Sequence, residues 1–187
     1  MKNNIILIGY MGCGKSTIGR ELAQKSEMEF IDTDEWIEKR EGITISEIFA
    51  TKGEEYFRNL ETECLREFEK EKACVKSFLQ KNKESADRKG KVISVGGGLP
   101  MREENRRLLR QIGQVIYLKA EPETVYERIK TDTTRPLLQT ENPKQKIKDM
   151  MAAREERYQS AAQTIVVVDG KNVSEILEEV MAATLLV

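Results

Sequence analysis

A chain of 187 residues with a hydrophobic fraction of 39% can bury a core large enough for one compact α/β domain to fold alone. The charged residues, 34% of the chain, cancel to a formal net charge of -1, which excludes a bulk attraction to nucleic acid or to an anionic membrane, so any anionic ligand must be held by local clusters. There is no histidine, and Cys13, Cys64 and Cys74 form no CxxC pair and no metal-ligand spacing, which excludes imidazole-based acid–base chemistry and argues against a zinc site.

In chain order, Met1 to Tyr10 is too short an apolar stretch for a signal-peptide core or a membrane span, and an odd thiol count suits a reducing cytosol; a soluble, cytoplasmic protein is expected. Asn4 to Ile8 predicts a buried strand ending at Gly9, and Ser16 to Lys25 a helix with Ile18 and Leu22 on one face. Phe30-Ile31 reads as a second strand, stopped by Asp32-Thr33-Asp34. Helical patterns follow over Trp36 to Arg40, over a short segment capped by Ser46 and ended at Gly53, and over Glu54 to Phe78. Gln80 to Lys91 is polar and reads as a loop. Val92 to Val95 is the third strand, running into Gly96-Gly97-Gly98. A helix over Glu103 to Leu109, a strand over Val115 to Leu118 and a helix opened by Pro122 come next. After the polar segment Thr131 to Pro143, a helix over Lys144 to Tyr158, a fifth strand over Ile165 to Val168 and a closing helix over Val173 to Ala183 complete the chain. Apolar strands alternating with amphipathic helices predict a parallel sheet covered on both faces, with no linker dividing residues 1–187.

The residues from Gly9 to Thr17 satisfy G-x-x-x-x-G-K-[ST] between a strand and a helix. Glycines let backbone N–H groups turn inward onto phosphate oxygens where side chains would obstruct, and the helix start adds its positive end. Lys15 can reach the β- and γ-phosphates, and the Ser16 hydroxyl can ligate Mg²⁺. The motif implies nucleotide binding without choosing between hydrolysis and transfer.

Three further features bear on the acceptor. Asp32 and Asp34 follow the second strand, and alternation along an extended chain would put both on the side of the ligand crevice. One could hold Mg²⁺ and the other accept or orient a hydroxyl proton, or both could simply cap the next helix. Arg58 and Arg154 could clamp a carboxylate, although surface pairing of Arg58 with Glu54 or Glu61 is the commoner fate of such a residue. Gly96-Gly97-Gly98 would allow close backbone approach to a ligand, or serve only as a flexible turn.

The run Gly9 to Arg20, Asp32-Thr33-Asp34, Ile48-Phe49-Ala50 through Phe57-Arg58, Gly96-Gly97-Gly98, Thr134-Arg135-Pro136-Leu137-Leu138, and Arg154 with Tyr158 four residues on together resemble the shikimate kinase family, in its order and over nearly the whole chain. That resemblance implies a three-layer α/β/α P-loop kinase fold with a five-stranded parallel sheet, one domain over 1–187, a shikimate-binding region at about 32–61 and a mobile lid at about 131–143. It implies ATP on Gly12, Cys13, Gly14, Lys15, Ser16 and Thr17, with Mg²⁺ on Ser16 and Asp32. Asp34 would be the base on the 3-hydroxyl of shikimate, with Lys15 and Arg135 on the transferring charge and Arg128 beside the adenine. Arg58, Arg154 and Gly97 would bind shikimate, Glu61 would orient Arg58, and Ile45, Phe49 and Phe57 would pack on the ring.

Two features depart from the family pattern: a long Lys-rich stretch over about 71–91, read as helix extension plus loop, and Arg157, a rival to Arg154 for the carboxylate. Alternative readings are a gluconate or nucleoside monophosphate kinase on the same scaffold, or a non-catalytic nucleotide-binding module. The expected partners are ATP and shikimate, with no nucleic acid and no membrane, and the expected state is a monomer.

Overall fold

The computed structural model of the protein describes residues 4–82, 90–131 and 141–185. Its elements are β1 (Asn4–Ile8), α1 (Lys15–Ser26), β2 (Glu29–Asp32), α2 (Thr33–Glu41), α3 (Ile45–Asn82) and β3 (Lys91–Ser94). A 3₁₀ turn (Leu99–Met101) leads into α4 (Glu103–Ile112), β4 (Gly113–Lys119), α5 (Pro122–Ile129), α6 (Pro143–Ala161), β5 (Thr164–Val167) and α7 (Val173–Leu185). The five strands are all parallel in the order β2-β3-β1-β4-β5. Central β1 and β4 read as nearly unbroken apolar runs because helices cover them on both faces. Helices α1 and α7 pack together against one face, while α3, α4 and α6 pack in succession against the other, as right-handed crossovers require. This is the three-layer α/β/α architecture that the alternating pattern predicts.

A large core runs through both faces of the sheet, and a smaller cluster of Ile37, Ile48, Phe57 and Leu60 sits between α2 and α3. That second cluster fixes α2 and α3 against each other independently of the sheet.

Three local expectations change. Helix α2 starts at Thr33 rather than Trp36, because the Asp32 side chain accepts from the Asp34 N–H at 3.0 Å and turns the chain into a helix directly from the strand. Asp32 and Asp34 therefore do not alternate along one extended segment. Ser46 is not the cap of α3. Thr44 is, through a reciprocal pair in which the Glu47 N–H donates to Thr44 Oγ1 and the Thr44 N–H donates to Glu47. Helix α3 breaks at Gly53 (φ 83°, ψ 171°), where the short helix is expected to end, and then runs to Asn82, so residues 80–82 are helical where a loop is expected; residues 83–89 lie outside the described residues.

Candidate active site

The phosphate loop leaves the end of β1 through glycines at φ 146° (Gly9), 77° (Gly12) and 97° (Gly14). A Cβ on Gly9 would stand 2.5 Å from the Leu118 carbonyl oxygen, so the loop is pressed against β4 there and only glycine fits. Gly14 caps α1 without any side-chain hydrogen bond, and the first turn of α1 carries no acid. The helix start thus keeps its N–H groups and positive end for an outside anion. Lys15 Nζ donates to the Gly9 and Tyr10 carbonyl oxygens at 2.9 and 3.0 Å, folded over the loop it would leave to meet a phosphate. Cys13 is buried, and Thr17 stands exposed on the cleft.

Ser16 Oγ donates to Asp32 Oδ2 at 2.8 Å, and Ser94 Oγ lies 3.5 Å away. This donor set is all oxygen. Among the described residues no cluster of three or more His, Cys, Asp or Glu side chains could enclose a metal. A hydroxyl beside one carboxylate at the mouth of a phosphate loop fits Mg²⁺, which keeps several waters and takes phosphate oxygens. Arg128 Nη1 donates to the Gly12 carbonyl at 3.2 Å and lines the same cleft of about 690 Å³.

The other wall is made of charged side chains. Asp34, in the first turn of α2, points its Oδ1 at Gly96, where a Cβ would sit 2.6 Å from it, and that oxygen has no hydrogen-bond partner. Burial, then the Asp32 charge, push its carboxyl up to about 6, against the pull of Lys15. Glu61 has a side chain only 1% exposed and accepts from Arg58 Nη1 at 2.9 Å through Oε2, while its Oε1 is unpartnered. Burial raises Glu61 to about 7, although Arg58 pulls it down. Arg58 also donates to Glu54 at 3.0 Å, so the surface pairing and the inward pairing coexist. Its guanidinium lies against Gly98 so closely that a Cβ there would overlap it.

A Cβ at 96 or 98 would displace the Asp34 carboxylate or the Arg58 guanidinium, whereas a Cβ at Gly97 would meet nothing nearer than 3.5 Å. Gly97 is held through its carbonyl, which accepts from the buried Tyr158 hydroxyl at 2.6 Å. Tyr158 stacks on Tyr117 at 5.1 Å between centroids. One helical turn earlier, the Arg154 guanidinium packs 5.6 Å from the Tyr10 ring centroid, at the phosphate loop. Arg157 donates instead to the Ala153 carbonyl of its own helix and is exposed. Phe49 is 38% exposed and tilts onto buried Phe57 at 4.9 Å, and Ile45 packs on the same small cluster. Arg135 and residues 132–140 lie outside the described residues.

Sequence reasoning missed Ser94, whose signal is a polar residue closing an otherwise apolar strand. It missed Thr33 Oγ1, which accepts the Gly96 N–H at 3.0 Å. It also missed Lys171 and Asn172, which line the nucleotide side of the cleft from the start of α7 and carry no local signal.

The sequence model of the family described as shikimate kinase matches residues 11–78 and 71–184. A shikimate kinase of Thioalkalivibrio sulfidiphilus is 42% identical over 178 residues, 95% of this chain and 85% of that one. Another, from Caldanaerobacter subterraneus subsp. tengcongensis, is 39% identical over 96% of this chain and 95% of its own length. The solved structure of the shikimate kinase from Acinetobacter baumannii in complex with shikimate superposes with a TM-score of 0.83 at 35% identity, covering 98% of this chain and 93% of that one. On likeness of this extent, in sequence and in fold, the chain belongs to the shikimate kinase family of phosphotransferases.

Proposed function

We propose that the chain transfers the γ-phosphoryl group of ATP to the 3-hydroxyl of shikimate, giving 3-phosphoshikimate and ADP on the route to chorismate, as a single-domain, cytoplasmic monomer. One observation carries the reading. Asp34 is a mostly buried carboxylate in the same cleft as the phosphate loop, with its Oδ1 unpartnered and its proton affinity raised toward neutrality. A carboxylate in that condition is suited to take a hydroxyl proton near pH 7.

The acceptor carboxylate would lie between Arg58, Arg154 and the Gly97 backbone, with Phe49 and Phe57 against the ring. Arg58 is already aligned by Glu61 at 2.9 Å, so little side-chain freedom is lost on binding. ATP would occupy the loop from Gly12 to Thr17, with Arg128 near the base. Lys15 exchanges the Gly9 and Tyr10 carbonyls for phosphate oxygens. Asp34 Oδ1 receives the proton as the hydroxyl oxygen bonds to phosphorus and the bond to the ADP oxygen breaks. Arg135, on the segment proposed as a lid, would meet the charge on the transferring group, and closure would exclude water as a competing acceptor.

Ser16 and Asp32 would hold Mg²⁺, whose chemistry is to neutralise phosphate charge and polarise the group in flight. Asp32 also caps α2, so the same side chain ties the metal side to the helix that carries Asp34.

The test is a coupled ADP-release assay with Mg²⁺ and ATP, offering shikimate, gluconate and nucleoside monophosphates in turn. Release with shikimate alone, with phosphoshikimate detected, is the expected result. Release with another acceptor and none with shikimate would overturn the roles given to Asp34, Arg58 and Arg154 while leaving the phosphate loop intact.

A further inference from the structure

We propose that Asn105, a buried residue of α4, is a positioning residue for the acceptor: it ties the glycine segment to the helix that carries Arg58 and so sets the width of the carboxylate pocket. The inference rests on the reading that Arg58 and Gly97 bind that carboxylate.

Asn105 is fully buried on the face of α4 that also carries Leu108, Leu109 and Ile112. A primary amide in that setting is costly unless its hydrogen bonds are made. Both ends are bonded. Nδ2 donates to the Leu99 carbonyl at 2.9 Å, and Oδ1 lies 2.8 Å from Thr62 Oγ1. A carbonyl can only accept, so the amide nitrogen must face Leu99. The amide oxygen therefore faces Thr62, which directs its one hydroxyl proton there even though the Arg58 carbonyl lies 3.1 Å away.

The two anchors are the significant part. Thr62 lies one helical turn beyond Arg58 and next to Glu61, the partner of its guanidinium. Leu99 directly follows Gly98, against which that guanidinium packs, and the Leu99 N–H closes the turn onto the Gly96 carbonyl at 3.0 Å. Asn105 thus bridges the two walls that must receive one carboxylate. Arg102 and Arg106 brace the same junction nearer the surface, through Asn59 and the Pro100 carbonyl. Water can replace those partly exposed contacts, but not an amide enclosed by the core.

The experiment is steady-state kinetics on purified N105L, N105D, T62V and R58A, varying shikimate and ATP separately. N105L should raise the KM for shikimate roughly tenfold and leave the KM for ATP within about twofold, the effect of one lost buried bond. N105D reads the bonding pattern directly. When protonated, its O–H donates to Leu99 and its carbonyl accepts from Thr62; when ionised, it sets a negative oxygen against the Leu99 carbonyl. The ratio of its shikimate KM to that of the unmodified enzyme should therefore rise with pH, while the N105L ratio stays flat. Arg102, whose Nη1 lies 3.5 Å from Thr62 Oγ1, and Glu61, the neighbour of Thr62 raised to about 7 by burial, are the charged groups beside this junction; both are present in the unmodified enzyme and in each Asn105 variant, so their contribution cancels in the ratio.

A purely structural role would move both KM values together or only the melting temperature, and either result overturns the proposal, as does a flat N105D ratio. Should N105L fail to fold, the near-isosteric T62V must show the same split, at roughly threefold. An unchanged shikimate KM in R58A would overturn the acceptor reading itself. A large R58A effect with no shift in the Asn105 and Thr62 variants would overturn this inference alone.

Discussion

The two walls of the cleft are built from different parts of the chain's chemistry. The phosphate wall is backbone: contiguous residues, glycines at positive φ, an uncapped helix start and a lysine resting on loop carbonyls. The wall proposed for the acceptor is side chain: Asp34 from α2, Arg58 and Glu61 from α3, the segment after β3, and Tyr158 and Arg154 from α6. A phosphate chain presents many equivalent oxygens, and a nest of N–H groups meets them without burying any protein charge. A compact polyol acid must be told apart from its analogues by a few placed groups, and those groups lose their water. The raised proton affinities of Asp34 and Glu61 record that loss.

The comparison is tested hardest by Asp34→Asn. The amide keeps the shape but cannot take a proton, so kcat should fall about a thousandfold, within the range for a lost general base. ATP affinity, measured by calorimetry, should stay within about threefold, because the phosphate wall is untouched and the α2 cap uses Asp32 Oδ1. Loss of ATP binding of the same size as the loss of turnover would mean the walls do not act separately.

A smaller contrast separates glycines by what stands behind them. Gly9→Ala places a Cβ 2.5 Å from a backbone carbonyl at φ 146°, where neither partner can give, and should cost about 4 kcal/mol in urea unfolding. Gly97→Ala meets only contacts of 3.5 Å or more and should cost less than about 1 kcal/mol. Equal costs would mean that the Leu118 carbonyl does not press on Gly9 as closely as the fold places it.

How far each wall could be read from sequence follows from the same difference. The requirements of the phosphate loop are local, so Gly9 to Thr17 gave both its conformation and its chemistry, and β1 has the bounds its apolar run predicts. Asp32 and Asp34 were recognisable by type but not by geometry, since a cap that turns strand into helix without a breaker resembles the strand's continuation. Arg58 could not be assigned between a surface pair and a substrate clamp, and the fold shows why: it bonds exposed Glu54 and buried Glu61 at once. Family resemblance supplied what pattern could not there. Asn105 had no signal of either kind, because a polar residue among Leu108, Leu109 and Ile112 reads as the edge of an amphipathic helix until Thr62 and Leu99 are seen against it. Lys171 and Asn172 reach the cleft only through the packing of α7 on α1.

The smallest effect concerns what the acceptor wall costs the fold. Asp34 is raised to about 6 in the native state, so between about pH 4 and 6 the folded protein holds a proton that the unfolded chain has released. The unfolding free energy should therefore fall as pH rises through that window and stay lower above it. Asparagine cannot ionise, so Asp34→Asn lacks this decline and should be the more stable protein above pH 6, by at most ~3 kcal/mol, while being nearly inactive. Glu61→Gln should not behave in the same way. It relieves a buried charge but leaves the Arg58 guanidinium without its best partner, so any gain is offset and the KM for shikimate rises. Urea unfolding of the three proteins at pH 4, 6 and 8 decides the matter. A gap between Asp34→Asn and the unmodified chain that does not widen with pH would mean that Asp34 is not strained by burial, and that its unpartnered oxygen is satisfied by water in the free enzyme.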